Sequence, residues 1–152
     1  MSTDKRYTIL DNIRTTFALV TTAGGYNFTV GYQDIGVKDI QGIPEDKFPA
    51  LMVAGADEDR SNATNAGFTS VMDVSIVGYV RSSDVNDPRV AEQDLSKLIA
   101  DLTKALYVDP TRGGNCKYTE VGKILTDKGY AAPYAVFEMV VSVEYRATFA
   151  AP

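Results

Sequence analysis

Two stretches of this sequence alternate apolar and polar residues for longer than any turn or helix would allow. From Phe68 to Arg81, the residues Met72, Val74, Ile76 and Val80 fall on one side and Asp73, Ser75, Tyr79 and Arg81 on the other. From Val136 to Phe149, Phe137, Met139, Val141, Val143 and Tyr145 share one side, and Glu138, Ser142, Glu144 and Arg146 share the opposite one. Successive side chains of a strand point to opposite faces, so a sustained period of two means long strands with one buried face. That face has to be covered by another layer.

The cover is predicted from two helical stripes. Ile9, Leu10, Ile13, Phe17 and Val20 recur at three- and four-residue steps, with Gly24-Gly25 as the expected stop. Leu95, Leu98, Ile99, Leu102 and Leu106 form the second stripe. Asp87-Pro88 supplies its cap and first turn, and Asp109-Pro110 its end. Glu92, Gln93, Ser96, Lys97, Asp101 and Lys104 are expected on the solvent side. Three further segments read as strands: Phe28 to Tyr32, Phe48 to Ala54, and the more ambiguous Lys117 to Thr126. Asp57 to Gly67 reads as a polar, mobile hairpin loop. Gly78 interrupts an apolar face and marks a bulge or a close backbone approach. Strands outnumber crossovers. The expected fold is therefore α+β: one domain over 1–152, a mostly antiparallel sheet, and two helices packed on one of its faces.

The composition narrows the chemistry. The chain has no His, which removes Ser-His-Asp and Cys-His nucleophile activation and every His metal ligand. The single cysteine, Cys116, makes neither an internal disulfide nor a cysteine zinc site and reads as a small buried residue. A net charge of −5 lacks the cationic footprint of a nucleic-acid binder. No apolar run is long enough to span a membrane, and the start lacks a signal-peptide core. Asp57, Glu58 and Asp59 could suit a hard cation, but consecutive carboxylates on an extended chain point apart. Thr111 to Asn115 lacks the ending of a nucleotide loop and reads as a flexible connector. Glu138 and Glu144 lie on one strand face with Cα atoms roughly 20 Å apart, too far to act on one bond. No catalytic, metal-binding or cofactor-binding residue is expected, and the chain is read as a non-enzyme. Tyrosine, frequent here, suits interfaces and equally the edge of a core.

In order, "FPALMVAGADED" at 48–59, "VSIVGYVRSSD" at 74–84, "DLSKLIADLTKAL" at 94–106, "YVDPTRGGN" at 107–115 and "ILTDKGYAAPYAVFEMVVSVEYR" at 124–146 resemble the bacteriophage tail terminator (tail completion, or minor tail) family. The resemblance covers most of the chain and includes no catalytic motif. It implies a virion structural protein, assembled in the host cytoplasm, forming a homohexameric ring at the head-proximal end of the tail. Such a ring stops tube polymerisation and docks neck and head-completion proteins. In a contractile tail it also meets the last sheath ring. DNA passes through the lumen without specific binding. The expected interface or lumen residues are Asp57, Glu58, Asp59, Arg60, Tyr79, Arg81, Tyr134, Glu138 and Tyr145, with the acidic trio facing the lumen or the tube below. Two alternatives remain: another head–tail connector or stopper ring, and, from a different class, a small ligand-binding α+β domain.

Overall fold

The structure is a computed structural model, described here for residues 4–62 and 64–152. In chain order it contains α1 (Lys5–Ala18), β1 (Tyr32–Ile35), β2 (Ala50–Asn62), β3 (Gly67–Arg81), α2 (Pro88–Val108), β4 (Tyr118–Thr126) and β5 (Tyr134–Thr148). The strands form one sheet in the order β1-β2-β3-β5-β4. Only β1 with β2 is parallel; the other pairings are antiparallel. The α+β expectation holds.

The two strands that alternate most regularly become the centre of the sheet. β3 and β5 pair without a break from Gly67↔Thr148 to Arg81↔Tyr134. Their apolar faces, with Leu51 and Val53 of β2, are buried under both helices. Ile9, Ile13 and Phe17 of α1 and Leu98, Leu102 and Leu106 of α2 are wholly or almost wholly enclosed in this layer. Each such side chain is worth roughly 1.5–3 kcal/mol of burial, which is why the stripes and not helix propensity fix where the helices lie. Gly78 is the close-approach case. A Cβ there would lie 2.2 Å from the Phe137 ring, so the missing side chain makes room for the aromatic.

Several boundaries differ from expectation. α1 ends at Ala18 with Leu19 as its cap, and Gly25 closes a separate turn at Thr22–Gly24 with φ +89°. Phe28 to Val30 is not a strand; β1 begins at Tyr32. The backbone N–H groups of Asn27 and Phe28 bond to Asp101 instead, each at 3.0 Å. The expected Asp57–Gly67 loop is mostly strand. β2 continues to Asn62, where its backbone pairs with Phe68, and only 64–66 turn among the described residues (Ala63 lies outside them). A long partner strand gave the polar segment a ladder to join, and pairing outweighed its loop-like composition. Asp101, expected in solvent, is 3 % exposed.

The sheet face away from the helices is open over much of its area but not all. At the Arg81 end, residues 37–48 fold across it. Ile43 packs there on Ala50 and Met52, with Phe48, Val77 and Tyr79 alongside.

Candidate functional site: the open sheet face

A one-residue bulge in β2 decides how the acidic trio is distributed. Between Gly55 and Glu58 the register against β3 slips, so that Gly55 faces Val74 and Glu58 faces Met72. Both partners belong to the buried face, so Glu58 turns inward while Asp59, opposite Val71, turns outward. Asp57 sits exposed in the bulge itself.

The outward residues form an acidic zigzag across four strands. Asp59 pairs with Val71, Val71 with Glu144, Asp73 with Ser142, and Ser142 with Glu120. Asp59, Asp73, Glu144 and Glu120 are thus successive diagonal neighbours, a spacing of roughly 7–8 Å between adjacent strands. That is about one Debye length at physiological salt, so their fields overlap over the face. Glu138 extends the face toward the Arg81 end, opposite Val77. Partners are few: Ser142 Oγ donates to Asp73 at 3.2 Å and Ser75 Oγ to Glu138 at 3.0 Å. Lys117 approaches Glu144 at 3.8 Å. Tyr118, beside this row, has its hydroxyl pKa pushed up by burial, then by Glu144 and Glu120. Nothing here converges on a reacting atom, and the chemistry the face offers is a negative potential.

Glu58 has the opposite environment. Its carboxylate accepts hydrogen bonds from Ser70 Oγ at 2.5 Å and from the Tyr145 hydroxyl, and pairs with Arg60 at 3.3 Å and Arg6 at 3.6 Å. Burial alone would raise its pKa, but the hydrogen bonds from Ser70, Tyr145 and Arg60 outweigh burial and hold it below the usual carboxylate range. Burial, followed by the bond to Glu58, pushes the Tyr145 hydroxyl up. Gly55 keeps the approach open, since a Cβ there would meet the Arg6 guanidinium at 2.3 Å.

The expected interface residues therefore separate into groups. Asp57, Asp59 and Glu138 lie on or beside the open face. Glu58 is turned toward the core side and only partly exposed, and Tyr145 is fully buried and presents no contact surface on the folded chain. Their place on the apolar side of the alternation carries them inward. Arg60 stacks on the Phe68 ring at 4.4 Å. Arg81 pairs with Glu45 at 2.9 Å, Tyr134 packs on Phe48 at 5.0 Å, and Tyr79 donates to the Lys38 carbonyl at 3.5 Å. These three cluster at the covered end, away from the acidic zigzag.

Three buried polar residues had a weaker signal in the sequence. Asp94 and Asp101 stand seven residues apart within the inner stripe of α2, a spacing that puts them on its packed face. Asp94 accepts from the Ser83 N–H and hydroxyl, each at 2.9 Å, and Asp101 anchors Asn27 and Phe28. Arg112, in the expected flexible connector, is wholly enclosed. It donates to the Leu106 and Asp109 carbonyls at the end of α2 and to Thr16 Oγ1 of α1 at 3.1 Å, so the connector is a clamp between helices. Cys116 is buried, and burial pushes its thiol pKa up. Among the described residues no group of three His, Cys, Asp or Glu could hold a metal ion, and no helix is long and apolar enough to cross a membrane.

No family model matches the chain, and no curated protein does. Among solved structures it is similar to a chain of the "Virion of native gene transfer agent (GTA) particle", at 12% identity and a TM-score of 0.42, over 91% of this chain and 92% of that one. A likeness at that level carries no argument for function.

Proposed function

We propose that this chain is a virion structural subunit that works by fitting against neighbours, as a tail terminator ring at the head-proximal end of a phage-like tail. The observation that carries the reading is the acidic sheet face with no helix over it, flanked by two sheet edges. Among the described residues β1 pairs only with β2 and β4 only with β5, so each offers an unpaired backbone row to another chain. A ring needs two different patches per subunit, and opposite edges of one sheet supply them. Copies joined through these edges would turn their open faces to a common side. Directed at a central hole, Asp59, Asp73, Glu120, Glu138 and Glu144 would repel phosphate and let DNA pass without sticking. The repulsion reaches only ~8 Å at physiological salt, so the carboxylates must lie on the lumen surface itself. Tube, neck and, in a contractile tail, sheath proteins would meet the rims. No bond-making step belongs to this role.

The test is electron microscopy of particles with this chain labelled, together with particles lacking it. Label at the head–tail junction and overlong tubes in its absence are expected. Tails of normal length on leaking heads would point to a stopper ring instead, and label elsewhere would end the proposal.

A further inference from the structure

At the Thr148 end of the sheet, two adjoining depressions share Lys5 and Arg146. One, of about 420 Å³, is also lined by Asn115, Cys116 and Lys117, and no acidic residue lines it among the described residues. The other, of about 470 Å³, has an apolar wall including Phe68, Ala147 and Ala151. The cations come from three separate places in the chain: the first residue of α1, the segment before β4 and the end of β5. In a chain of net charge −5, they make a local concentration of positive charge. Lys117 pairs with Glu144 at 3.8 Å, while Lys5 and Arg146 make no ion pair among the described residues and are free to meet a ligand.

We infer that this double depression binds an acidic peptide segment of a protein partner, with a carboxylate held between Lys5 and Arg146 and the adjacent apolar side chain seated against Ala147 and Ala151. The guanidinium fork of Arg146 matches a carboxylate, and the ammonium of Lys5 adds charge from the other side. The apolar wall selects for a ligand with an apolar body next to its charge. A nucleic-acid backbone lacks one. This inference goes beyond the ring reading and does not rest on it.

The probe is an acetylated, amidated hexapeptide of alternating Phe and Glu, titrated into the isotope-labelled full chain by NMR. Saturable shifts confined to Lys5, Gly67, Phe68, Lys117, Arg146 and Ala147 are expected at millimolar peptide. The Gln analogue of the peptide should bind more than about tenfold more weakly, and so should the peptide to R146E. Lys5→Glu gives the same comparison if R146E does not fold. Equal shifts from sodium phosphate alone would reduce the site to a general oxyanion site, and stronger shifts from a short DNA duplex would make it a nucleic-acid contact. Either result overturns the inference, as does the absence of saturable shifts up to about 10 mM peptide.

Discussion

The two faces of the sheet hold carboxylates on opposite terms. Toward the helices, the buried acids Asp101 and Asp94 and the half-buried Glu58 have each collected several donors: Asp101 three from Asn27 and Phe28, Asp94 two from Ser83, and Glu58 those of Ser70, Tyr145 and Arg60. On the open face, Asp73 and Glu138 have one serine each. The difference follows from water. A carboxylate cut off from solvent is tolerated only when protein donors replace the lost hydration, whereas one on an open sheet keeps its water. Inner acids are therefore structural fasteners, and outer acids shape a field. The tripeptide Asp57-Glu58-Asp59 contains both kinds, divided by a single bulge.

That contrast predicts large stability effects inside and small ones outside. The largest belongs to Asp101→Ala, which strands two backbone N–H groups and the Asn27 amide. It should cost about 3 kcal/mol in urea unfolding at neutral pH. Asp101→Asn keeps one acceptor and should fall between. A loss below about 0.5 kcal/mol for the alanine variant would mean the Tyr26–Val30 segment holds itself in place without this anchor.

Next comes Glu58→Gln, expected to cost about 1–2 kcal/mol at pH 7 because charge-assisted bonds become neutral ones. The pH dependence has a definite sign. The folded-state pKa of Glu58 lies below its unfolded value, so its contribution is fully present above the unfolded pKa of about 4.3 and disappears as pH falls through the folded value. Wild type and variant should therefore converge in acid. A gap that stayed constant from pH 7 to well below that range would show that packing around the side chain, not its charge, is what the substitution disturbs.

The sequence revealed one side of this contrast far better than the other. Alternation in Phe68–Arg81 and Val136–Phe149 is a property of many residues at once, so it survives any single exception and fixes the central strands and their buried face. The outer acids Asp73, Glu138 and Glu144 follow directly from the same parity. Glu58 could not be placed this way, because a bulge shifts parity and leaves no compositional mark when its residues are Ala56 and Asp57. Residue type alone makes Asp101 a solvent-side charge and Arg112 a loop cation. Their burial depends on what packs opposite them, Asn27 for one and the end of α2 for the other, which lies far away in the chain or in a helix carbonyl with no sequence signature.

The smallest effect sharpens the comparison most. Asp73 sits in the middle of the zigzag, a diagonal neighbour of both Asp59 and Glu144, and gives up only one 3.2 Å serine bond if replaced. Asp73→Asn keeps an acceptor for Ser142 and removes the central charge. Its stability should stay within ~0.5 kcal/mol of wild type, on the stabilising side at low ionic strength, because like charges at this spacing repel. Near 1 M salt the Debye length falls to about 3 Å, and the difference should vanish. Urea unfolding at both salt concentrations separates the cases. A loss above about 1 kcal/mol that persists in high salt would make Asp73 a fastener like Asp101. The open face would then be holding the fold together, and its acidity could no longer be credited to a surface kept clear for something that must pass.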